Sequence, residues 1–332
     1  MRPGGIWPLA LVLTLAALAA PGRAQSWSFA VLGDSRGDGN GVNTEILGDL
    51  ANEVATSGAE FVLFPGDLIT GSSSDSVTQA QLAQWRATMA PIYDANIDVY
   101  PITGNHEWQC AGLAAIWQST FPELPGNGPT GEEKLTYSFT HGNVFVAALD
   151  GYSGHSQQID QTWLDAQLAA NAQPHVFAFS HEPAYSVDHG DCLADYPAER
   201  DEFMSSLAGA SGRTYFCGHD HFYDHALIDD MDGVQMHQFV IGTAGAPLRN
   251  WDGLYDGNNG GAAVSNVDHD KSYGYCLVEI DGLDVTITYM ERLSAGNYAA
   301  GDVFQYTVPE PATLALLAAG AAMAAFRRRP RR

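Results

Sequence analysis

Three things are scarce in this 332-residue chain: positive charge, closely spaced cysteines and long apolar runs. Fifteen Lys and Arg face 39 Asp and Glu, a formal net charge of −24. So acidic a surface repels nucleic acid and anionic membrane, and neither is expected as a partner. The four cysteines, Cys110, Cys192, Cys217 and Cys276, include no Cys-x-x-Cys pair, so a zinc knuckle of that kind is not indicated. No apolar run reaches the ~20 residues that span a bilayer. What is present is 45% hydrophobic and 11% aromatic residues, enough to bury a large core and to argue against disorder.

Both ends read as processing signals. Met1–Ala24 carries Arg2, the apolar run Leu9–Ala20 and Gly22-Arg23-Ala24, the layout of a secretory signal peptide. At the other end Pro309-Glu310-Pro311 leads into an apolar-leaning segment, 312–326, and then an arginine cluster, 327–332. Fifteen residues are marginal for a span, and the arginines would stay on the cytoplasmic side. This tail resembles the PEP-CTERM sorting signal of Gram-negative bacteria. The resemblance implies export through the inner membrane, transient membrane association and removal of the tail by an exosortase-type enzyme. The product would be periplasmic, on the cell surface or secreted; a simple C-terminal membrane anchor is the alternative. The chain then divides into a signal peptide (1–24), one domain (25–300) and a linker with the sorting signal (301–332). Without residues 1–24 and 310–332, eight basic residues face 38 acidic ones, a net charge of −30. In an exported chain disulfides persist. Cys110 and Cys192 both follow candidate site loops and are the favoured pair, while Cys217 and Cys276 sit in apolar runs and read as core.

From Trp27 onward, short apolar runs alternate with segments of helical period. Ser28–Leu32, Phe61–Phe64, Val99–Ile102, Val176–Phe179 and Thr214–Cys217 read as buried strands. Asn43 caps a helix with Ile46, Leu47, Leu50 and Val54 on its apolar face. A second helix opens at Thr78, with Leu82, Trp85, Met89 and Ile92 on one face. Leu135–Phe139 and Val144–Leu149, joined by His141-Gly142-Asn143, read as a hairpin, and helices are predicted over 157–170 and 198–207. Farther on, Gln235–Ile241, Tyr273–Ile280 and Val285–Met290 read as a meander, with 251–270 a long Gly/Asn/Asp-rich loop. Within that loop Asp256–Gly260 lacks the spacing and closing Glu of a calcium loop. Strand–helix alternation calls for central parallel strands and the hairpins for antiparallel additions. The fold class is therefore α/β, two stacked mixed sheets flanked by helices.

Five strand-like runs end in Asp34, Asp67, Asn105, His181 and the pair His219 and His221. In α/β sheets, ligand sites lie beyond the carboxyl ends of the strands. One Gly-Asp is a turn; five strand ends carrying Asp, Asn and His describe a site for divalent metal held through oxygen and imidazole. Two ions ~3.5–4 Å apart on a bridging carboxylate suit in-line displacement at phosphorus.

The order Gly33-Asp34-x-Arg36, Gly66-Asp67, Gly104-Asn105-His106-Glu107, His181 and Gly218-His219-x-His221 resembles the calcineurin-like metallophosphoesterases, with the purple acid phosphatases among them. The resemblance implies a four-layer αββα sandwich around a dinuclear centre of Fe, Mn or Zn. It implies Asp34 and His221 on the first metal, Asp67 bridging, and Asn105, His181 and His219 on the second. His106 would be general acid or phosphate contact, and a metal-bridging hydroxide would attack phosphorus. Two positions depart from the pattern. Arg36 stands where the commonest family pattern has His, and Thr70 stands where purple acid phosphatases have Tyr. The first metal is left with Asp34, Asp67 and His221, to be completed by water or an unassigned residue such as Asp38. Arg36, always protonated, cannot ligate a metal and is expected on a phosphate oxygen, a salt bridge to nearby acids being the alternative. His189, Tyr223 and Arg249 are candidates to line the cleft and touch substrate. Glu107 and Glu182 are candidates to orient neighbouring histidines. The expected activity is an exported metal-dependent phosphoesterase acting on phosphomonoesters or phosphodiesters. A non-catalytic phosphate- or metal-binding surface protein is the reading from another class.

Overall fold

The computed structural model describes residues 26–37, 39–229, 235–251, 255 and 263–308. The signal peptide, the sorting tail beyond Val308, Asp38 and the Asp256–Gly260 segment lie outside the described residues. Strand β1 (Trp27–Val31) leads through α1 (Thr44–Val54) to β2 (Ala59–Phe64), and α2 (Asp75–Thr88) and α3 (Ala90–Asp94) lead to β3 (Asp98–Pro101). A 3-10 turn at Glu107–Gln109 and α4 (Leu113–Thr120) precede the hairpin of β4 (Tyr137–His141) and β5 (Val144–Ala148). Then come α5 (Gln161–Ala170), β6 (His175–Phe179), α6 (Pro197–Gly209) and β7 (Thr214–Cys217). The remaining strands are β8 (Tyr223–Asp229), β9 (Gln235–Ile241), β10 (Ala263–Asp270), β11 (Gly274–Asp281), β12 (Asp284–Ser294) and β13 (Asn297–Thr307).

Local chemistry sets the helix starts. Asn43 Oδ1 accepts the Ile46 N–H and caps α1, which buries Ile46, Leu47, Leu50 and Val54. Asp160 accepts the Trp163 N–H at 2.8 Å, which starts α5 at 161 instead of 157. Helix α2 begins at Asp75, one turn before Thr78, and the face expected to run on to Ile92 breaks at Met89. Pro91 causes the break: lacking an N–H, it fits only the first turn of a new helix.

Among the described residues the strands form two sheets, ordered β13-β12-β11-β1-β2-β3 and β10-β8-β9-β7-β6-β5-β4. The central pairings β1–β2, β2–β3, β5–β6, β6–β7 and β7–β9 are parallel. The sheets meet through aromatic rings: Phe29 stacks on Phe61 at 4.7 Å and meets Phe177 of the other sheet edge-on at 5.3 Å. Burial of each such ring contributes roughly 1.5–3 kcal/mol. Leu47, Leu50, Leu82 and Trp85 extend this core into α1 and α2. Leu164, Phe203 and Leu207 of α5 and α6 pack with Val176, Ala178 and Tyr215 on the outer face of the second sheet. The result is the expected α/β sandwich of two mixed sheets with helices outside. Across the first sheet, Trp27, Ile280, Val285 and Tyr306 lie in one register row, while Val31 pairs with Cys276 at the opposite end of β1.

Four expectations are corrected. Strand β9 does not join β11 and β12 in a meander; it pairs with β7 and β8 in the other sheet. Residues 263–270, read as loop, form β10, an edge strand whose exposed polar side chains hide its period. Residues 301–307, read as linker, belong to β13, which pairs along β12 and keeps the domain intact to Val308. No bond joins Cys110 to Cys192: all four cysteines are buried thiols. Cys110 ends the turn at Glu107–Gln109, and the Cys192 sulfur instead accepts the Ala194 N–H at the head of the turn at 193–195.

Candidate metal centre

The loops after β1, β2, β3, β6 and β7 converge at one end of the sandwich. Asp34, Asp67 and His219 all have positive φ, at 62°, 50° and 69°. This left-handed region costs energy for any non-glycine residue and is best tolerated by Asp, Asn and His. Hydrogen bonds between loops hold it in place. Both Asp34 oxygens accept the His219 N–H at 3.1 Å, and Asp67 Oδ1 accepts the His106 N–H at 3.1 Å. Glycine permits that approach: a Cβ on Gly218 would lie 2.1 Å from Asp34 Oδ2, and one on Gly104 would lie 2.3 Å from Asp67 Oδ1.

The atoms at the centre are lone pairs. His181 Nδ1 lies 2.8 Å from Pro65 O, and a carbonyl only accepts, so the hydrogen is on Nδ1 and Nε2 is bare. That Nε2 sits 3.2 Å from Asn105 Oδ1 and 3.4 Å from Asp67 Oδ1. His219 adds Nδ1 at 3.2 Å from His181 Nε2, with its own Nε2 on Asp191 at 3.2 Å and Glu182 at 3.7 Å. Burial holds His181 down at about 4, so it is neutral. Burial would lower His219 too, but Glu182, the bond to Asp191, Asp220 and Asp67 raise it to about 10. Burial raises Asp67, and His181, His106 and His219 more than offset this and hold it below its ordinary value. Burial and the charge of Asp67 push Asp34 well above its own. Asp34, Asp67 and His181 are fully buried and offer ligand atoms within 4.8 Å of one another. Asp67 Oδ1, Asn105 Oδ1 and His181 Nε2 fit a borderline divalent cation, and His219 Nδ1, protonated toward His181 Nε2 without one, would join them by giving up that proton.

On the other side of Asp67 stands Arg36, with Nε 3.7 Å from Asp67 Oδ2 and Nη2 3.4 Å from His221 Nε2. His221 Nδ1 donates to Pro247 O at 3.1 Å, and its Nε2 lies 3.6 Å from Asp34 Oδ1. Burial and Arg36 hold His221 down at about 3. His106 repeats the pattern: Nδ1 donates to Thr70 O at 2.7 Å, and Nε2 faces Asp67 Oδ2 at 3.8 Å. His106, His181 and His221 therefore each turn Nε2 toward Asp67 or Asp34 and have Nδ1 fixed by a backbone carbonyl, whereas His219 turns Nε2 to Asp191 and Glu182 and Nδ1 to His181.

A sequence profile of the calcineurin-like phosphoesterases matches residues 28–223, all five of these loops included. The chain belongs to the calcineurin-like phosphoesterase family. A PEP-CTERM protein-sorting motif matches residues 307–332. No curated protein matches the chain. Among solved structures, purple acid phosphatase PPD1 from yellow lupin (Lupinus luteus) seeds is 15% identical, with a TM-score of 0.67. That match covers 87% of this chain and 55% of the lupin protein, so this chain spans little more than half the lupin protein's length. PhoD is 14% identical with a TM-score of 0.62, covering 87% of this chain and 71% of that one. GAP50, the anchor in the inner membrane complex of Plasmodium, is 14% identical with a TM-score of 0.57, covering 86% and 90%. At such identities the likeness is one of fold.

Around the centre of this phosphoesterase the remaining candidates fall into place unequally. His189 is at the rim, its ring 4.4 Å from that of His219. It is held there by Asp220, which accepts its Nδ1–H at 2.6 Å and the backbone N–H groups of Asp188 and His189. Arg249 bonds His221 O through its backbone and reaches Asp188 at 3.4 Å. Tyr223 does not line the cleft: it stacks on Tyr289 between the sheets at 4.0 Å and donates to Asp302. Glu107 orients no histidine; it accepts the N–H groups of Gly104, Asp67 and Ile69 at 2.7, 3.1 and 3.1 Å. Glu182 does face His219, and burial lifts its carboxyl to about 7. Missed from sequence were Asp191, Asp220 and Tyr152, which donates to Glu182. Asp220 is the unassigned position of Gly218-His219-x-His221, where its own role is not marked, and Asp191 and Tyr152 sit in none of the five strand-end motifs.

Proposed function

We propose that this exported protein hydrolyses phosphate esters, mono- or diesters, with a bound transition metal, Fe, Mn or Zn, held by Asp67, Asn105, His181 and His219. The observation that carries this reading is the bare His181 Nε2 lying 3.2 Å from Asn105 Oδ1 and 3.4 Å from Asp67 Oδ1, with His181 and Asp67 buried and no hydrogen on any of the three atoms. When bound, the metal supplies Lewis acidity and a lowered pKa for water. The chain's own residues supply the rest. Arg36 offers N–H donors to a non-bridging phosphate oxygen. His106, its ring fixed by Thr70 O and its Nε2 turned to the Asp67 side of the centre, is placed as general acid to the departing oxygen or as a phosphate contact. Glu182 and Asp191 fix the His219 ring, and the loop carrying His189 forms the rim. The sorting motif supports export, processing by an exosortase-type enzyme and a place at or beyond the cell surface. No described helix is long and apolar enough to cross a membrane.

The test is metal analysis joined to a panel of p-nitrophenyl phosphate and bis(p-nitrophenyl) phosphate. Turnover lost on chelation and restored by Mn²⁺, Zn²⁺ or Fe²⁺ supports the reading. A metal-free protein inert toward both esters under all three ions overturns it and leaves the non-catalytic surface protein.

A further inference from the structure

The family resemblance implies a second ion on Asp34, Asp67 and His221, and the guanidinium of Arg36 already lies among those three. Its Nη2 meets His221 Nε2 at 3.4 Å and its Nε is 3.7 Å from Asp67 Oδ2, while His221 Nε2 is 3.6 Å from Asp34 Oδ1. Because His221 Nδ1 donates to Pro247 O, the Nε2 lone pair is the one that accepts from Arg36. The backbone beneath is fixed, with Arg36 bridged to Val42 and Asn43 N–H bonded to Ser35 O at 2.8 Å. Arg36 Nε is buried and has no hydrogen-bond partner among the described residues, so a donor is left over inside the cluster. Thr70 adds nothing there: its hydroxyl turns away to donate to Gly37 O at 2.5 Å. A guanidinium keeps its charge at any working pH and has no lone pair to give a metal.

We propose that Arg36 takes the place of one ion, so that the centre holds a single metal on Asp67, Asn105, His181 and His219 with the guanidinium as its second positive charge. The proposal rests on the metal-dependent reading above and narrows it. A phosphate ester would then be gripped between one metal and the leftover Nε–H and Nη–H donors of Arg36. A bidentate contact of that kind favours a phosphoryl group with two free oxygens in one plane.

The experiment is the equilibrium metal content of the purified full chain in saturating Mn²⁺, read with its electron paramagnetic resonance spectrum. The wild type is expected to hold about one Mn²⁺ with an isolated six-line signal, and Arg36→His about two with a spectrum broadened by coupling between the ions. Two coupled ions in the wild type overturn this proposal and leave the proposed function standing, whereas no bound ion overturns both. Arg36→His remaining at one ion shows that Arg36 is not what excludes the second. Should circular dichroism show that variant unfolded, the wild-type stoichiometry and spectrum decide the matter alone.

Discussion

Removing the Glu107 carboxylate should loosen two site loops at once. Its Oε2 accepts the N–H groups of Gly104 and Asp67, and its Oε1 accepts that of Ile69, all in a fully buried place. Asp67 is one of the residues held at positive φ, so these bonds also hold a strained turn. In Glu107→Ala three buried donors lose their acceptor. At ~1–2 kcal/mol for each unsatisfied group, the loss is roughly 3–6 kcal/mol. That is a large share of the ~5–15 kcal/mol by which domains are stable. In Glu107→Gln the amide oxygen can take the Oε2 place and keep Gly104 and Asp67, while the NH₂ faces the Ile69 N–H. One bond is lost and the cost is ~1–2 kcal/mol. Urea unfolding followed by tryptophan fluorescence should rank wild type above Gln above Ala, with metal retention falling in the same order. An alanine variant within ~1 kcal/mol of wild type and fully loaded with metal would show that Glu107 does not hold these loops.

Three further outcomes are expected. His106→Ala should lower kcat on p-nitrophenyl phosphate by ~10²–10⁴-fold and leave metal content unchanged, because His106 is fixed by Thr70 O beside Asp67 and not among the meeting lone pairs. His181→Ala should strip the metal as measured by elemental analysis after dialysis, since it removes the bare Nε2 between Asp67 and Asn105; full retention refutes the ligand assignment. Asp224 is pushed up to about 8 by burial, so the folded state binds its proton more tightly than the unfolded state does. Its contribution is therefore present at low pH and is lost as pH rises from ~4 to 8, with a slope of at most ~1.4 kcal/mol per unit. Asp224→Asn should flatten that part of the stability profile, and an unchanged slope contradicts the assignment.

The strand ends were legible because burial and chemistry meet there. An apolar run such as Phe61–Phe64 ending in Pro65-Gly66-Asp67 carries both signals within seven residues. Strand β8 was not legible because Asp224 and His225 occupy buried positions, so its apolar period is interrupted. Strand β13 hides for the opposite reason: at an edge, most of its side chains face solvent and Gly301 divides the run. Sheet membership of β9 depends on β7, some twenty residues earlier in the chain, a pairing no local window contains. At the centre, residue identity pointed to Asp67, Asn105 and His181, while the hydrogen on each imidazole depends on the Pro65, Thr70 and Pro247 carbonyls, which every sequence has everywhere. Arg36 was recognised as unable to ligate, but only the fold places its guanidinium against His221.

The register row of Trp27, Ile280, Val285 and Tyr306 decides which way the centre would look from an attached surface. β1 enters from that row and rises ~3.3 Å per residue toward Asp34, so the row and the centre lie at opposite poles of the sheet. Chain joined on beyond Val308 continues from the same pole, since the Val308 N–H bonds Leu283 O at the turn between β11 and β12. The point at which the described chain ends, Val308, is therefore at the pole farthest from the centre, so what is joined there leaves the mouth of the cleft uncovered by the domain's own exit strand.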